Sequence, residues 1–201
     1  MNVPIFHLLA GPNGAGKSTL YKALVLDDHI GADLAFVNAD LYDRAHLQHI
    51  ADPEARSEAA RAWADQTRAD KLRAGVSFVS ETVFSHESKL ALIQEALGHG
   101  FAVALYVVAL DDPQRLLLRV EQRVKEGGHA VPPERILARY PRTLANLAKA
   151  VRLATAAYLF DAKESEQGGP VLVAVCQGEN VNALSHPLPQ WTQRVLGGVV
   201  Q

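Results

Sequence analysis

The sequence predicts a three-layer α/β domain in which a mainly parallel, five-stranded sheet lies between helices. Three observations carry this expectation. Short apolar runs alternate with helix-period segments along the whole chain, as parallel strands joined by crossover helices require. Residues 101–110, FAVALYVVAL, are apolar at nearly every position, the mark of a strand buried on both faces. The first apolar run passes through a glycine-rich turn directly into a helix-period segment. No repeat, low-complexity tract or long Ser/Gly linker divides the 201 residues, so a single domain spanning 1–201 is expected.

The first element sets the chemistry. In residues 5–20, IFHLLAGPNGAGKSTL, an apolar strand ends at Gly11 and a helix starts after Gly16-Lys17-Ser18. The spacing G-x-x-x-x-G-K-S, between a strand and a helix, is that of a phosphate-binding loop. Gly11, Pro12, Asn13, Gly14, Ala15, Gly16, Lys17, Ser18 and Thr19 are its candidate nucleotide contacts. The glycines let backbone N–H groups close on a polyphosphate, and the new helix points its positive end at the same anion. Lys17 is the expected partner of the β- and γ-phosphates, and the Ser18 hydroxyl the expected ligand of Mg²⁺. ATP with Mg²⁺ is the expected cofactor pair.

A short second strand, 34–37, leads to Asn38-Ala39-Asp40. Asp40 would face the phosphate loop at the carboxyl edge of the sheet, either as a proton acceptor or as the N-cap of a helix beginning near Leu41. Residues 53–73 form a highly charged helix with a thin face of Ala55, Ala59, Trp63 and Thr67, ended by Gly75; it borders a polar cleft or plain solvent. A third strand, 76–80, delivers Glu81 and Thr82 to the same edge. Glu81 would bind a substrate hydroxyl or a magnesium-bound water, or simply open a helix. Ser85 reads as the cap of the next helix, with Leu90, Ile93 and Leu97 as its core stripe.

The buried strand 101–110 runs into Asp111-Asp112-Pro113, a cap and a first-turn proline. The following helix sets Arg115, Arg119 and Arg123 four apart beside an apolar row, an arrangement that needs anions or solvent to offset self-repulsion. Gly127-Gly128, then His129, then Pro132-Pro133 read as the hinge of a helical lid over about 123–142. The lid brings Arg139 and Arg142, guanidinium groups suited to charge on a phosphoryl in flight. His129 would touch substrate or cap the loop. Pro141 must kink or break the helix it sits in. Residues 171–175 make the last strand.

Whole-chain properties narrow the classes. Net charge is -2, which supplies no basic field for a polynucleotide, so no nucleic-acid partner is expected. Cys176, the single cysteine, lies among apolar neighbours and excludes an intrachain disulfide or a multi-cysteine zinc site. No apolar run is long enough for a bilayer and no leader pattern opens the sequence, so no membrane association and a cytoplasmic location are expected.

Taken together, the phosphate loop, the Val37-Asn38-Ala39-Asp40 and Ser80-Glu81-Thr82 segments, and RVEQRVKEGGHAVPPERILARYPRTLANL resemble the zeta toxin family of P-loop kinases, over roughly residues 3–158. The resemblance implies a kinase-type P-loop fold and ATP-dependent phosphorylation of a hydroxyl on a nucleotide-activated sugar, typically UDP-N-acetylglucosamine. It matches Asp40 to the catalytic base, Lys17 to the phosphate lysine and Glu81 to an acid at the sugar. Arg119 or Arg123, with Arg139, matches the pair clamping the transferring phosphates. Thr82, His129 and Arg142 complete the expected substrate contacts, and a protein antitoxin is the implied partner. The alternatives are a kinase for another small hydroxylated metabolite or antibiotic, and a nucleotide-dependent binding switch with little turnover.

Overall fold

The computed structural model describes residues 3–125, 131–163 and 169–197. Its centre is one seven-stranded sheet in the order β2-β3-β1-β4-β5-β6-β7. The strands are β1 (Ile5–Ala10), β2 (Ala35–Val37), β3 (Phe78–Thr82), β4 (Ala102–Ala109), β5 (Ala156–Asp161), β6 (Val171–Gln177) and β7 (Asn180–Ala183). The helices are α1 (Lys17–Leu26), α2 (Ala39–His46), α3 (Pro53–Ala74), α4 (Leu90–Gly98), α5 (Pro113–Lys125), α6 (Pro133–Leu153) and α7 (Gln190–Leu196). Among the described residues, no helix is long and apolar enough to cross a membrane.

The five strands from β2 to β5 are parallel, and β6 and β7 add an antiparallel edge. The sequence therefore misses two strands. β5 was hidden because Ala156-Ala157 continues the alanine-rich, helix-favouring composition of α6. Pairing with β4 on one side and β6 on the other overrides that propensity. β7, Asn-Val-Asn-Ala, has the wrong composition for a strand, and is held only as the return arm of a hairpin turning at Gly178, φ +58°.

β1 lies between β3 and β4, and the chain moves out from it in opposite directions to build the two halves of the sheet. A crevice at the carboxyl end of β1 follows from that topology, and the phosphate loop opens into it. Leu8, Leu9, Ala10, Val103, Leu105, Val107 and Val108 are fully buried around it, so the loop grows from the least deformable part of the molecule.

α6 runs unbroken through Pro141. A proline inside a helix costs about 3 kcal/mol, but Tyr140, Leu144, Leu147 and Val151 are buried along α6 and each contributes roughly 1.5–3 kcal/mol, so packing wins. Pro141 itself lies on the exposed face. The expected cap residues also shift. Asn38, not Asp40, caps α2, its side chain accepting from Leu41 N–H at 3.1 Å. His86, not Ser85, caps a short 3₁₀ turn that precedes α4. Along α3 the buried row is Ala60, Ala64, Arg68 and Leu72, one residue on from the predicted row; Gly75 ends the helix in the left-handed conformation, as expected.

His7 on β1 is buried, its Nδ1 3.1 Å from the Tyr106 hydroxyl. Tyr106 stacks on Tyr158, and burial with that neighbour pushes its phenol up to about 12. Burial also holds the His7 imidazole below its ordinary 6.5. The unfolded chain thus takes a proton near pH 6.5 that the folded chain refuses, and stability is lost as pH falls below 6.5 toward the folded value. Urea midpoints at about pH 7.5 and about pH 5.5 should show this loss in the wild type and less of it in His7→Gln, which keeps a partner for Tyr106. Equal losses in both proteins would remove His7 as the source.

Candidate functional site

The phosphate loop is shaped by its backbone. Gly11, Gly14 and Gly16 have φ of +151°, +79° and +94°. A Cβ at Gly11 would stand 2.0 Å from the Val108 carbonyl oxygen, and one at Gly14 would stand 2.6 Å from that of Leu116. The loop is therefore pressed against both β4 and α5. α1 begins at Gly16 without a side-chain cap and with no acidic residue in its first turn. Its free N–H groups and dipole face the crevice with nothing on the helix to compete for them.

Lys17 is 6% exposed and folds back over its own loop, donating to the carbonyls of Gly11 (3.0 Å) and Pro12 (3.1 Å). Its ammonium is 3.6 Å from Glu81 Oε1. Glu81 Oε2 accepts from the Ser18 hydroxyl and from the Asn38 side-chain amide, both at 3.1 Å. One carboxylate at the end of β3 thereby ties together the loop, the start of α1 and the end of β2. Ser18 Oγ and Glu81 Oε2 are adjacent hard oxygen donors beside the phosphate loop. That donor set fits Mg²⁺, which takes one or two protein oxygens and fills its octahedron with water and phosphate.

Two cavities meet at Glu81. The first, about 370 Å³, is walled by the phosphate loop, Arg119, Arg123, Ala162, Lys163 and Pro170. The second, about 570 Å³, lies under α3 and α6; among the described residues it is lined by Arg61, Arg68, Lys89, Arg139 and Arg142, against Asp65 and Glu81 as acids. Burial lowers the Arg139 guanidinium from its ordinary value, as do Arg135, Arg142 and Arg61 nearby. Lys89 is lowered by burial first, with Arg68 and Arg61 adding to it and Asp65 opposing. Arg68 is 7% exposed, held by the Ser80 hydroxyl at 3.2 Å and by Asp65.

The sequence-predicted residues divide between these chambers. Arg119 and Arg123 line the cavity at the phosphate loop, whereas Arg139, Arg142 and Thr82 line the second cavity. Asp40 is exposed on the first turn of α2, two residues beyond Asn38, and is in neither lining; its neighbour Ala39 belongs to the second. His129 and the Gly127-Gly128 hinge lie outside the described residues. α3 borders a polar cleft, through Arg61, Ala64, Asp65 and Arg68. Sequence reasoning missed Asn38, Arg61, Arg68 and Lys89. A signal existed for Arg68, a cation that continues the four-residue row of small residues Ala60 and Ala64 on a helix. Lys89 carries none.

A family model for zeta toxin matches residues 2–165. The chain belongs to the zeta toxin family. No functionally curated protein matches its sequence. Among solved structures, the native AvrRxo1-ORF1:-ORF2 complex is similar at 20% identity and TM-score 0.71, over 99% of this chain and 66% of that one. The same complex with ATP gives 22% and 0.67, over 90% and 61%. The PezAT toxin–antitoxin system of Streptococcus pneumoniae gives 17% and 0.61, over 82% and 70%. This zeta toxin chain thus spans less than two thirds of the AvrRxo1-ORF1:-ORF2 chain that it resembles. Its fold is that of the P-loop kinases.

The glycine geometry gives a direct test. Gly14→Ala must strain a left-handed backbone and push on the Leu116 carbonyl, a cost of about 1–3 kcal/mol. ATP affinity measured by calorimetry should fall about tenfold or more. Wild-type affinity in this variant would mean that the loop does not hold the nucleotide in this conformation.

Proposed function

We propose that this chain is an ATP-dependent kinase that transfers the γ-phosphoryl group to a hydroxyl of a nucleotide-activated sugar resembling UDP-N-acetylglucosamine. The observation that carries this reading is the pair of cavities sharing Glu81, one formed by the phosphate loop and the other by five cations. A diphosphate on the acceptor supplies the anions that the second lining lacks. A neutral antibiotic or metabolite would leave those like charges facing one another, which puts that alternative second. The likeness to a structure crystallised with ATP agrees with the nucleotide. An antitoxin protein as partner is part of the same reading, in keeping with the toxin–antitoxin relatives.

In this mechanism Lys17 and the α1 N-terminus hold the β- and γ-phosphates, while Arg119 and Arg123 meet them from α5. Ser18 and Glu81 would hold magnesium, which supplies neutralisation of charge across the phosphates. Arg139 and Arg142 orient the acceptor. The acceptor oxygen forms its bond to the γ-phosphorus as its proton passes to the Asp40 carboxylate. The bond from the γ-phosphorus to the bridging oxygen breaks, and ADP leaves with that electron pair. Asp40 is assigned this role from its place on the first turn of α2, two residues beyond Asn38, whose amide donates to the shared carboxylate.

A panel of acceptors with ATP, read by mass spectrometry for one added phosphoryl group, tests the substrate class. With the acceptor found, Arg139→Ala should lower the rate by about 10²–10³. Asp40→Asn should abolish transfer while leaving ATP affinity nearly intact; normal turnover in that variant removes Asp40 as the base. Arg61→Ala should raise KM for the acceptor and leave KM for ATP unchanged.

A further inference from the structure

α7 lies beyond residue 165, outside the segment that matches the family. It is fastened to the carboxyl ends of β4 and β5. Asp111, just past β4, accepts from the backbone N–H groups of Gln190 (3.2 Å) and Trp191 (2.6 Å), so a carboxylate from another element caps the helix. The Trp191 indole N–H donates to Oδ1 of Asp161, the last residue of β5, at 3.2 Å. Trp191 is 1% exposed, and its indole N–H can only donate, so the carboxylate is the acceptor.

The next residue, Ala162, bridges the core and the site. Its N–H donates to the Ala109 carbonyl at 2.7 Å, and its own carbonyl accepts from Arg119 Nη2 at 2.6 Å. Ala162 and Arg119 both line the cavity at the phosphate loop. Only the Asp161-Ala162 backbone separates the indole from the guanidinium. The partner chosen for Arg119 matters as well. A carbonyl orients a guanidinium without cancelling its charge, whereas a carboxylate would do both. The arginine side chain otherwise carries rotamer freedom that would be lost on meeting phosphate.

We propose that Trp191 is a positioning residue for the nucleotide site. By holding Asp161 it fixes the Ala162 carbonyl, and the carbonyl holds the Arg119 guanidinium at the phosphates of bound ATP. The proposal rests on the reading above that Arg119 meets those phosphates. It assigns a task to a C-terminal element that the family match does not include. Burial raises the pKa of Asp161, and the indole donor, together with the Lys163 backbone N–H and ammonium, favours its ionised form.

A double-mutant cycle in ATP affinity tests this, using the full chain with magnesium chloride and isothermal titration calorimetry. Trp191→Phe keeps an aromatic ring in the core and removes the donor. Arg119→Ala should weaken ATP about tenfold and Trp191→Phe about three- to tenfold, with the double variant no weaker than Arg119→Ala alone. A purely structural tryptophan predicts losses that multiply. Wild-type affinity in Trp191→Phe, multiplying losses, or wild-type affinity in Arg119→Ala would each overturn the proposal. If Trp191→Phe does not fold, benzothienylalanine at position 191 keeps the ring shape without the N–H and is read by the same criteria. Binding is measured here without an acceptor. Failure to phosphorylate any acceptor would therefore sink the kinase reading and leave this coupling standing.

Discussion

The arrangement of the site depends on one carboxylate. Glu81 ends β3 between the phosphate loop on β1 and the short strand β2, and its two oxygens reach Lys17, Ser18 and Asn38. Parallel register puts it there: Leu9 pairs with Glu81 and Ala10 with Thr82, so the side chain emerges where β1 turns into the loop. An acid one residue earlier would occupy the position of Ser80, which is fully buried and holds Arg68 and the Val37 carbonyl. The same register thus fixes the ion pair at the phosphate loop and the buried arginine beside the second cavity. Moving β3 by one residue would exchange an interior hydroxyl for a charge, at a desolvation cost far above the gain of any single hydrogen bond.

How much of this was legible in the sequence follows from where each signal lives. The loop, α1 and β4 were legible because their determinants are local: glycine spacing in the first, and an apolar run too continuous for anything but a buried strand in the last. The role of Glu81 as the junction was not, because it depends on which strand lies beside β1, and strand order is a long-range property. Asp40 looked like a cap candidate because aspartate caps well, yet Asn38 takes the cap, since its amide can accept from Leu41 and donate to Glu81 at once. Aspartate has no such donor. β5 and β7 were illegible because their neighbours, rather than their own composition, make them strands.

The tail shows the same limit from the other side. Pro187, Pro189 and Trp191 gave no pattern of their own, since the partners of Trp191 are Asp111 and Asp161, 80 and 30 residues away. Acids at the ends of two neighbouring parallel strands are brought side by side only once β4 and β5 pair. They then need donors, and a helix N-terminus with an indole supplies them.

Charge distribution draws these strands together. The chain carries a net charge of -2, yet among the described residues five cations line one cavity of about 570 Å³ with two acids. Uniform placement would not concentrate like charges in this way, and the lowered values of Arg139 and Lys89 register the resulting strain on their protonated forms. Arg68 is restrained by Asp65 and Ser80, and Glu81 is already engaged by Lys17, Ser18 and Asn38. The lining can therefore relax neither by moving Arg68 away nor by taking Glu81 as its counter-charge. Arg61 and Arg142 are exposed to solvent and donate to the carbonyls of Ser57 and Ala138, which leaves Arg139 and Lys89 as the partly buried cations of the lining. The two adjoining chambers thus have separate sets of cations, with one shared carboxylate between them. That division of charge follows from the register that sets Glu81 at the end of β3, between the loop on β1 and the helices that cover the second chamber.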